Sequence, residues 1–255
     1  MAKESKKQRE PIRWRMWLSM AGIGMAVASS AYAAYRVHEF ALNDPQFLLS
    51  RDTKGAITIQ GLTYASRSKV LRVFANDYGR SVFSVPLSER RRRLLAIDWV
   101  DDASVSRIWP DKLVIRIRER KPVAFVFFRS GVLLIDPQGV LLEPPPAAPF
   151  AFPVLSGVRE DESEESRRER VRCLLRVQEE LGPLAKDISE VNAADPDNIR
   201  LVSQMNHRAV DLIMGDGNFG VRYKNFVNHY GDMLKRSPGA RTFDLRLADR
   251  IAAED

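Results

Sequence analysis

The stretch Val105-Ser106-Arg107-Ile108-Trp109-Pro110-Asp111-Lys112-Leu113-Val114-Ile115-Arg116-Ile117-Arg118 decides how this chain is read. Val105 and Ile108 fall in a strand, and Trp109-Pro110-Asp111-Lys112 is a turn sequence. Beyond it Leu113, Ile115 and Ile117 alternate with Val114, Arg116 and Arg118, the period of a second strand. On the N-terminal side, Ala56-Ile57-Thr58-Ile59-Gln60 alternates and stops at Gly61. Ser66 can cap a helix whose apolar residues Val70, Val73 and Phe74 follow helical spacing, with Gly79 ending it after Tyr78. Ser81–Val85 reads as a short extended piece. Pro86 and Ser88 open a second helix, with Leu87, Leu94, Leu95 and Ile97 inward, Arg90–Arg93 mostly outward, and Trp99-Val100 at its end, where they are expected to be buried against the three-stranded sheet. The unit is β-α-α-β-β.

At Lys121-Pro122 the pattern changes. Val123–Phe128 is an apolar strand, and Gly131–Ile135 pairs with Val140–Leu142 across Asp136-Pro137-Gln138-Gly139. A proline-rich stretch covers Pro144–Pro153. Arg159–Leu181 reads as an amphipathic helix ended by Gly182-Pro183, with Val171, Leu174, Leu175 and Leu181 as its buried stripe. Strands are expected near Ile188–Ala193 and Ile199–Val202. Val210–Met214 is read as a hairpin with Phe219–Tyr223. A helix over Lys224–Arg236 and a strand over Arg241–Leu247 complete the pattern. The expected class is α+β, the second part a mostly antiparallel sheet with two helices.

Met16 to Tyr35 is a 20-residue run without a charge, bracketed by Arg15 and Arg36. As a helix it spans about 30 Å, the thickness of a bilayer's hydrocarbon core. Trp14, Trp17, Tyr32 and Tyr35 stand at its two ends, where aromatic rings favour the membrane interface. The formal net charge is +7, but six cations against two acids put +4 of it in residues 1–15. That tail predicts a cytoplasmic N-terminus and an exported remainder. A cleaved signal peptide is the alternative, with an A-x-A site at Ala31-Tyr32-Ala33. The remaining +3 offers no basic face interleaved with aromatics, so nucleic acid is not indicated. The lone Cys173 excludes an internal disulfide and sits at an apolar helical position.

Trp99-Val100, Ala103-Ser104-Val105-Ser106-Arg107, Trp109-Pro110 and Leu113 through Ala124 together resemble the pattern that closes the POTRA domain of the FtsQ/DivIB family of bacterial cell-division proteins. Leu134-Ile135-Asp136 with Gly139, Pro153-Val154-Leu155-Ser156-Gly157, and Phe243-Asp244-Leu245-Arg246-Leu247-Ala248-Asp249-Arg250 are similar to three further family motifs in the same order. Leu247 departs from the aromatic that many relatives carry there. The resemblance implies a basic cytoplasmic tail (1–15), a transmembrane helix (16–36), a connector (37–54), a POTRA domain (55–121) and a C-terminal β domain (122–255). It implies a non-enzymatic scaffold of septum formation at the inner membrane, with a periplasmic ectodomain that binds the division proteins FtsB and FtsL. The expected docking edge is the final strand with the residues just beyond it: Asp244, Leu245, Arg246, Leu247, Ala248, Asp249, Arg250 and Ile251. An ordinary covered or solvated edge is the plainer reading of those residues. A POTRA-bearing factor for outer-membrane protein assembly or translocation is the alternative function, and an exported enzyme a third.

Candidate chemistry is thin. Gly215-Asp216-Gly217-Asn218-Phe219-Gly220 matches G-x-G-x-x-G, but a dinucleotide site needs those glycines to lead straight into a helix, and Phe219–Tyr223 reads as a strand. His38, His207 and His229 are scattered without metal spacing. Asp101 and Asp102 are adjacent and read as turn or helix-end residues, not an acid–base pair. No catalytic residue, cofactor or metal is expected. A C-terminal reporter active only outside the cytoplasm should work, and the mature protein should begin at Met1 or Ala2. A mature N-terminus at Ala34 would identify a cleaved signal instead of an anchor.

Overall fold

The computed structural model describes residues 14–51, 55–146, 149–247 and 250–254. The basic tail read over residues 1–15 lies almost wholly outside them. Helix α1 runs Trp14–Asn43 without a break. Among the described residues it is the one helix long and apolar enough to cross a membrane, and none of its Trp17–Asn43 span is buried. It continues past the 20-residue run because nothing after Tyr35 stops it: there is no Pro or Gly between Arg36 and Asn43.

The chain forms two compact units that alternate along the sequence. The first takes the chain up to Gln60, Leu71–Arg92 and Ser104–Arg116; the second takes Gly61–Val70, Arg93–Ala103 and Ile117–Asp255. Strand β1 (Ile57–Gln60), helix α2 (Arg67–Arg72), helix α3 (Leu87–Leu95), strand β2 (Val100–Ile108) and strand β3 (Lys112–Glu119) come in the expected order. They make a three-stranded sheet ordered β1-β3-β2, with β1 parallel to β3. α2 is shorter than its apolar spacing predicts, since the chain leaves the helix for turns before Gly79, whose φ is +79°. Ser81–Val85 is not extended: Val82–Ser84 is a 3-10 turn capped by Ser81. The carbonyls of Val82, Phe83 and Val85 accept from the Arg107 guanidinium.

Residues 37–54, read as a connector, contain packed structure within the first unit. α1 ends at Asn43, and Asp44 caps a 3-10 turn at Pro45–Phe47. Phe47 and Leu49 are buried, the Leu49 N–H donates to the Arg80 carbonyl, and Ser81 Oγ donates to the Ala41 carbonyl. The four-arginine run is also more than a solvated face. Arg91–Arg93 are exposed, but Arg90 is buried and makes two hydrogen bonds to the fully buried Asp77, at 2.6 and 2.8 Å. Charge alone sends arginines outward; a buried carboxylate waiting on one side of the helix reverses that for one of the four.

In the second unit, β4 (Ala124–Phe128), β5 (Gly131–Ile135), β6 (Leu141–Leu142), β7 (Val154–Ser156), β8 (Ile188–Asn192), β9 (Ile199–Met205), β10 (Arg208–Gly215), β11 (Thr242–Asp244) and β12 (Ala252–Glu254) build one sheet. Its order is β12-β11-β10-β9-β8-β7-β4-β5-β6. Five neighbouring pairs are antiparallel. Three are parallel: β4–β7, β7–β8 and β10–β11. Helix α4 (Glu164–Leu181) starts later than Arg159 because Ser163 caps it. Helix α5 spans Phe219–Arg236. Both helices bury their apolar stripes in one core with the strands. Cys173 is partly buried in this core's margin, and desolvation pushes its thiol above the ordinary range.

Trp99 is buried as expected, but not at a helix end and not against the three-stranded sheet. α3 stops at Leu95, and Trp99 joins Ala65, Leu134 and Leu142 in a small cluster of the second unit. Its indole N–H donates to the Glu143 carbonyl at 2.9 Å. Asp101 and Asp102 lie in β2 instead of a turn, and Asp101 accepts from Arg118.

Removing Asp77 leaves the Arg90 guanidinium buried and unpaired. Asp77→Ala should destabilise the protein by about 3–5 kcal/mol, and adding Arg90→Met should restore much of that. Urea melts of the full chain in detergent read both; equal melting of Asp77→Ala and the parent would show that the pair is not desolvated.

Candidate functional site

The end of the nine-stranded sheet carrying β10, β11 and β12 is where the expected docking residues fall. β10 does not make a hairpin with Phe219–Tyr223. Its hairpin partner is β9, through a turn at Asn206 and His207, both at positive φ. That is the backbone of a tight hairpin, with Asn-His standing where Asn-Gly is the familiar signal. Phe219–Tyr223 is instead the first turn of α5. Phe219, Tyr223, Phe226 and Tyr230 are all buried, at spacings of four, three and four. Over five residues, Phe219 and Tyr223 two periods apart satisfy a strand as well as a helix; only the longer register separates them.

The glycine motif therefore does lie between a strand and a helix, and β11 returns parallel to β10. This is the connectivity a dinucleotide fold requires, but the glycines serve packing. A Cβ on Gly220 would lie 2.3 Å from the Glu180 carbonyl oxygen, so this glycine lets α5 approach α4. A Cβ on Gly215 would meet Arg222 at 3.0 Å and Arg246 at 3.3 Å. Arg222 donates to the Met214 carbonyl, so its guanidinium occupies the mouth where a pyrophosphate would approach the backbone. Tyr223 points the other way, into the core, sharing a hydrogen bond with Ser203 at 2.7 Å; burial raises its phenol above the usual range.

The sequence places one strand over Arg241–Leu247, at the sheet's edge. The structure corrects both points. β11 covers only Thr242–Asp244, and it lies between β10 and β12. Asp244 closes the strand: its carboxylate accepts from the Arg246 backbone N–H and guanidinium, which holds it below the ordinary carboxylate range. That local ring turns the chain out of the sheet after one further backbone bond, Leu245 N–H to the Ile213 carbonyl at 2.9 Å. Leu245 is buried, Leu247 is half exposed, Arg250 is exposed and Ile251 is partly buried. Ala248 and Asp249 lie outside the described residues.

The chain then doubles back as β12, antiparallel to β11. Ala252 and Ala253 are exposed, and no strand among the described residues covers the outer side of β12. Beside it runs a groove of about 490 Å³, lined by Asn218, Val221, Arg222, Asn225, Leu247 and Ile251 among others. A second hollow of about 320 Å³ shares Asn225 and Ile251 and extends along α5 to His229, Asp232 and Arg236. Together they form a trough flanking α5, apolar at Val221, Leu247 and Ile251 and basic at Arg222, Lys224, Arg236 and Arg250. His38, His207 and His229 are not brought together, and the described residues contain no cluster of three metal-ligating side chains.

Two family models match the chain in order. The FtsQ-type POTRA domain matches residues 55–120, and the C-terminal domain of cell division protein FtsQ/DivIB matches residues 124–246. The chain belongs to the FtsQ/DivIB family. A cell division protein FtsQ from Koribacter versatilis is 34% identical over 206 residues, 78% of this chain and 59% of that protein. One from Geobacter sp. is 25% identical over 98% of this chain and 92% of its own length. One from Shewanella oneidensis is 27% identical over 54% of this chain and 50% of its own. The chain thus spans about six-tenths of the Koribacter relative and half of the Shewanella one. The C-terminal family match stops at Arg246, so β12 and the apolar lining residues Leu247 and Ile251 lie beyond it.

The role assigned to the glycines is open to a direct check. Gly220→Ala should cost about 1–3 kcal/mol through overpacking against α4. Gly217→Ala, where a Cβ meets nothing within 4 Å, should leave the melting temperature nearly unchanged. Equal stability of the two variants would remove the packing role from Gly220.

Proposed function

We propose that this protein is a non-enzymatic, bitopic scaffold of the bacterial division machinery that binds other division proteins through its extracytoplasmic part. In this reading residues 1–15 are a cytoplasmic tail, 16–36 the membrane span, 37–54 the link, 55–121 the POTRA domain and 122–255 the docking domain. The protein sits in the inner membrane at the septum with a periplasmic ectodomain. FtsB and FtsL are the partners that the family resemblance nominates.

The observation that carries this is the open edge of β12 beside the trough on α5. An uncovered edge presents backbone N–H and C=O groups that another chain's strand can satisfy. Edges kept monomeric are blunted by Lys, Pro or inward charges; here the edge strand is Ala252-Ala253-Glu254, with no Lys or Pro and one charge at its end. A partner strand added there would place its neighbouring residues over Leu247, Ile251 and Val221. The basic rim suits a partner segment that carries carboxylates. The nine-stranded sheet ends in two different strands, β12 and β6, and is faced by two helices, which argues against a closed membrane barrel as the use of the POTRA unit.

Successive residues of β12 turn their N–H groups to opposite sides, one toward β11 and one outward. Of Ala252→Pro and Ala253→Pro, the one whose N–H faces outward should weaken FtsB binding by about tenfold or more while β11–β12 pairing survives. Leu247→Glu should also reduce binding without lowering the melting temperature, since Leu247 is half exposed. Titration calorimetry with the FtsB ectodomain decides it. Full affinity in both proline variants and in Leu247→Glu would exclude this edge, and a depletion strain that still septates would exclude the division role.

A further inference from the structure

The first compact unit holds an aromatic cluster that the docking reading does not use. About 20 helical residues cross the hydrocarbon core. Counted from Trp17, that length ends near Arg36. Phe40 stands one turn further on and is 53% exposed. Phe40 meets the buried Phe47 edge-on, with ring centres 5.6 Å apart. Phe47 in turn meets Phe83 at 5.3 Å and Trp109 at 5.6 Å, and Phe83 meets Trp109 at 4.9 Å. Trp109 is thus one ring removed from Phe40. It caps the turn between β2 and β3, where Trp109 is 67% exposed and Ile108 49% exposed. The hydrogen bond from Ser81 Oγ to the Ala41 carbonyl, at 2.7 Å, fastens the same cluster to the last turns of α1.

An exposed Trp beside an exposed Ile on a turn leaves apolar area in water that has no use there. A bilayer interface is where an indole is favoured, with its ring among the acyl carbonyls and its N–H toward the headgroups. We propose that the β2–β3 tip, through Ile108 and Trp109 with Phe40, seats in the headgroup layer of the bilayer that α1 spans, on the ectodomain side. This rests on the reading of α1 as a membrane anchor. The occupant is phospholipid. Lys112 follows the tip in the chain and Arg36 precedes Phe40 by one helical turn, and both can meet lipid phosphates, while Glu39, Asp44 and Asp111 add acidic groups to the same stretches. Two membrane contacts on one compact unit would restrain its rotation about the helix axis, which a single helix leaves free.

The test uses the full chain in phosphatidylcholine–phosphatidylglycerol vesicles with no other protein. Trp14→Phe and Trp17→Phe remove the span's own indoles and leave Trp99, which is buried, and Trp109. Lipids brominated high on the acyl chain should quench the Trp109 share of the emission, and adding Trp109→Phe should abolish that loss. Trp109→Phe keeps an aromatic ring against Phe47 and Phe83. Carbonate extraction is run in parallel. A chain that resists extraction but shows no quenching overturns the tip's contact and leaves the anchor standing. Quenching that persists in the Trp109→Phe chain assigns it to Trp99 and also overturns the proposal. A chain released by carbonate overturns the anchor, and the tip's contact with it.

Discussion

Arg120 leaves the end of the third strand with its backbone N–H on the Trp99 carbonyl, 3.0 Å away, and its guanidinium on Asp136, 2.8 Å away. Asp136 is fully buried and also accepts from the backbone N–H groups of Gln138 and Val140. A buried carboxylate with three donors forms a stable corner, and without the arginine it would be an isolated charge in the core. Its neighbour Glu119 turns the other way and accepts from the backbone N–H groups of Thr63, Tyr64 and Ala65, between 2.7 and 3.0 Å. Two adjacent charged residues thereby fix, within the second unit, the loop after β1, the start of β2 and the β5–β6 hairpin. Trp99 sits between these, with its indole N–H on Glu143 and its ring near Tyr64 and Phe150.

The far end of the sheet is organised differently. There α5 crosses over so that β11 returns parallel to β10, and the aromatic stripe of Phe219, Tyr223, Phe226 and Tyr230 closes the core beneath it. Because the crossover uses a whole helix, β11 cannot be the natural end of a hairpin, and its free side stays open for the last residues of the chain. The Asp244–Arg246 ring breaks the strand and gives those residues room to turn back as β12. The open edge and the trough are thus by-products of one parallel connection and one short charged turn.

Much of the frame was legible because its signals are local. The alternation at Leu113–Arg118, the turn at Trp109–Lys112, the Asp136–Gly139 hairpin and the helical stripe of Val171, Leu174 and Leu181 each lie within one element. The readings that failed concern residues whose state depends on distant partners. Arg90 reads as solvated until Asp77 is found beside it. The ring of Trp99 reads as facing the three-stranded sheet until the β5–β6 hairpin is found under it. Phe219–Tyr223 reads as a strand because five residues do not distinguish a period of two from one of 3.6.

By itself the sequence determined the membrane-length helix, the order of elements from β1 to β6, and the family, since these come from periodicity, length and motif spacing. Only the tertiary structure decided which strand ends the sheet. Strand order across a sheet is set by long-range backbone pairing, and the residues that form an edge carry the same alternation as those one strand inside it. The segment Asp244 to Ile251 was read as the edge, while the open edge falls at Ala252–Glu254, three residues that carry almost no sequence signal.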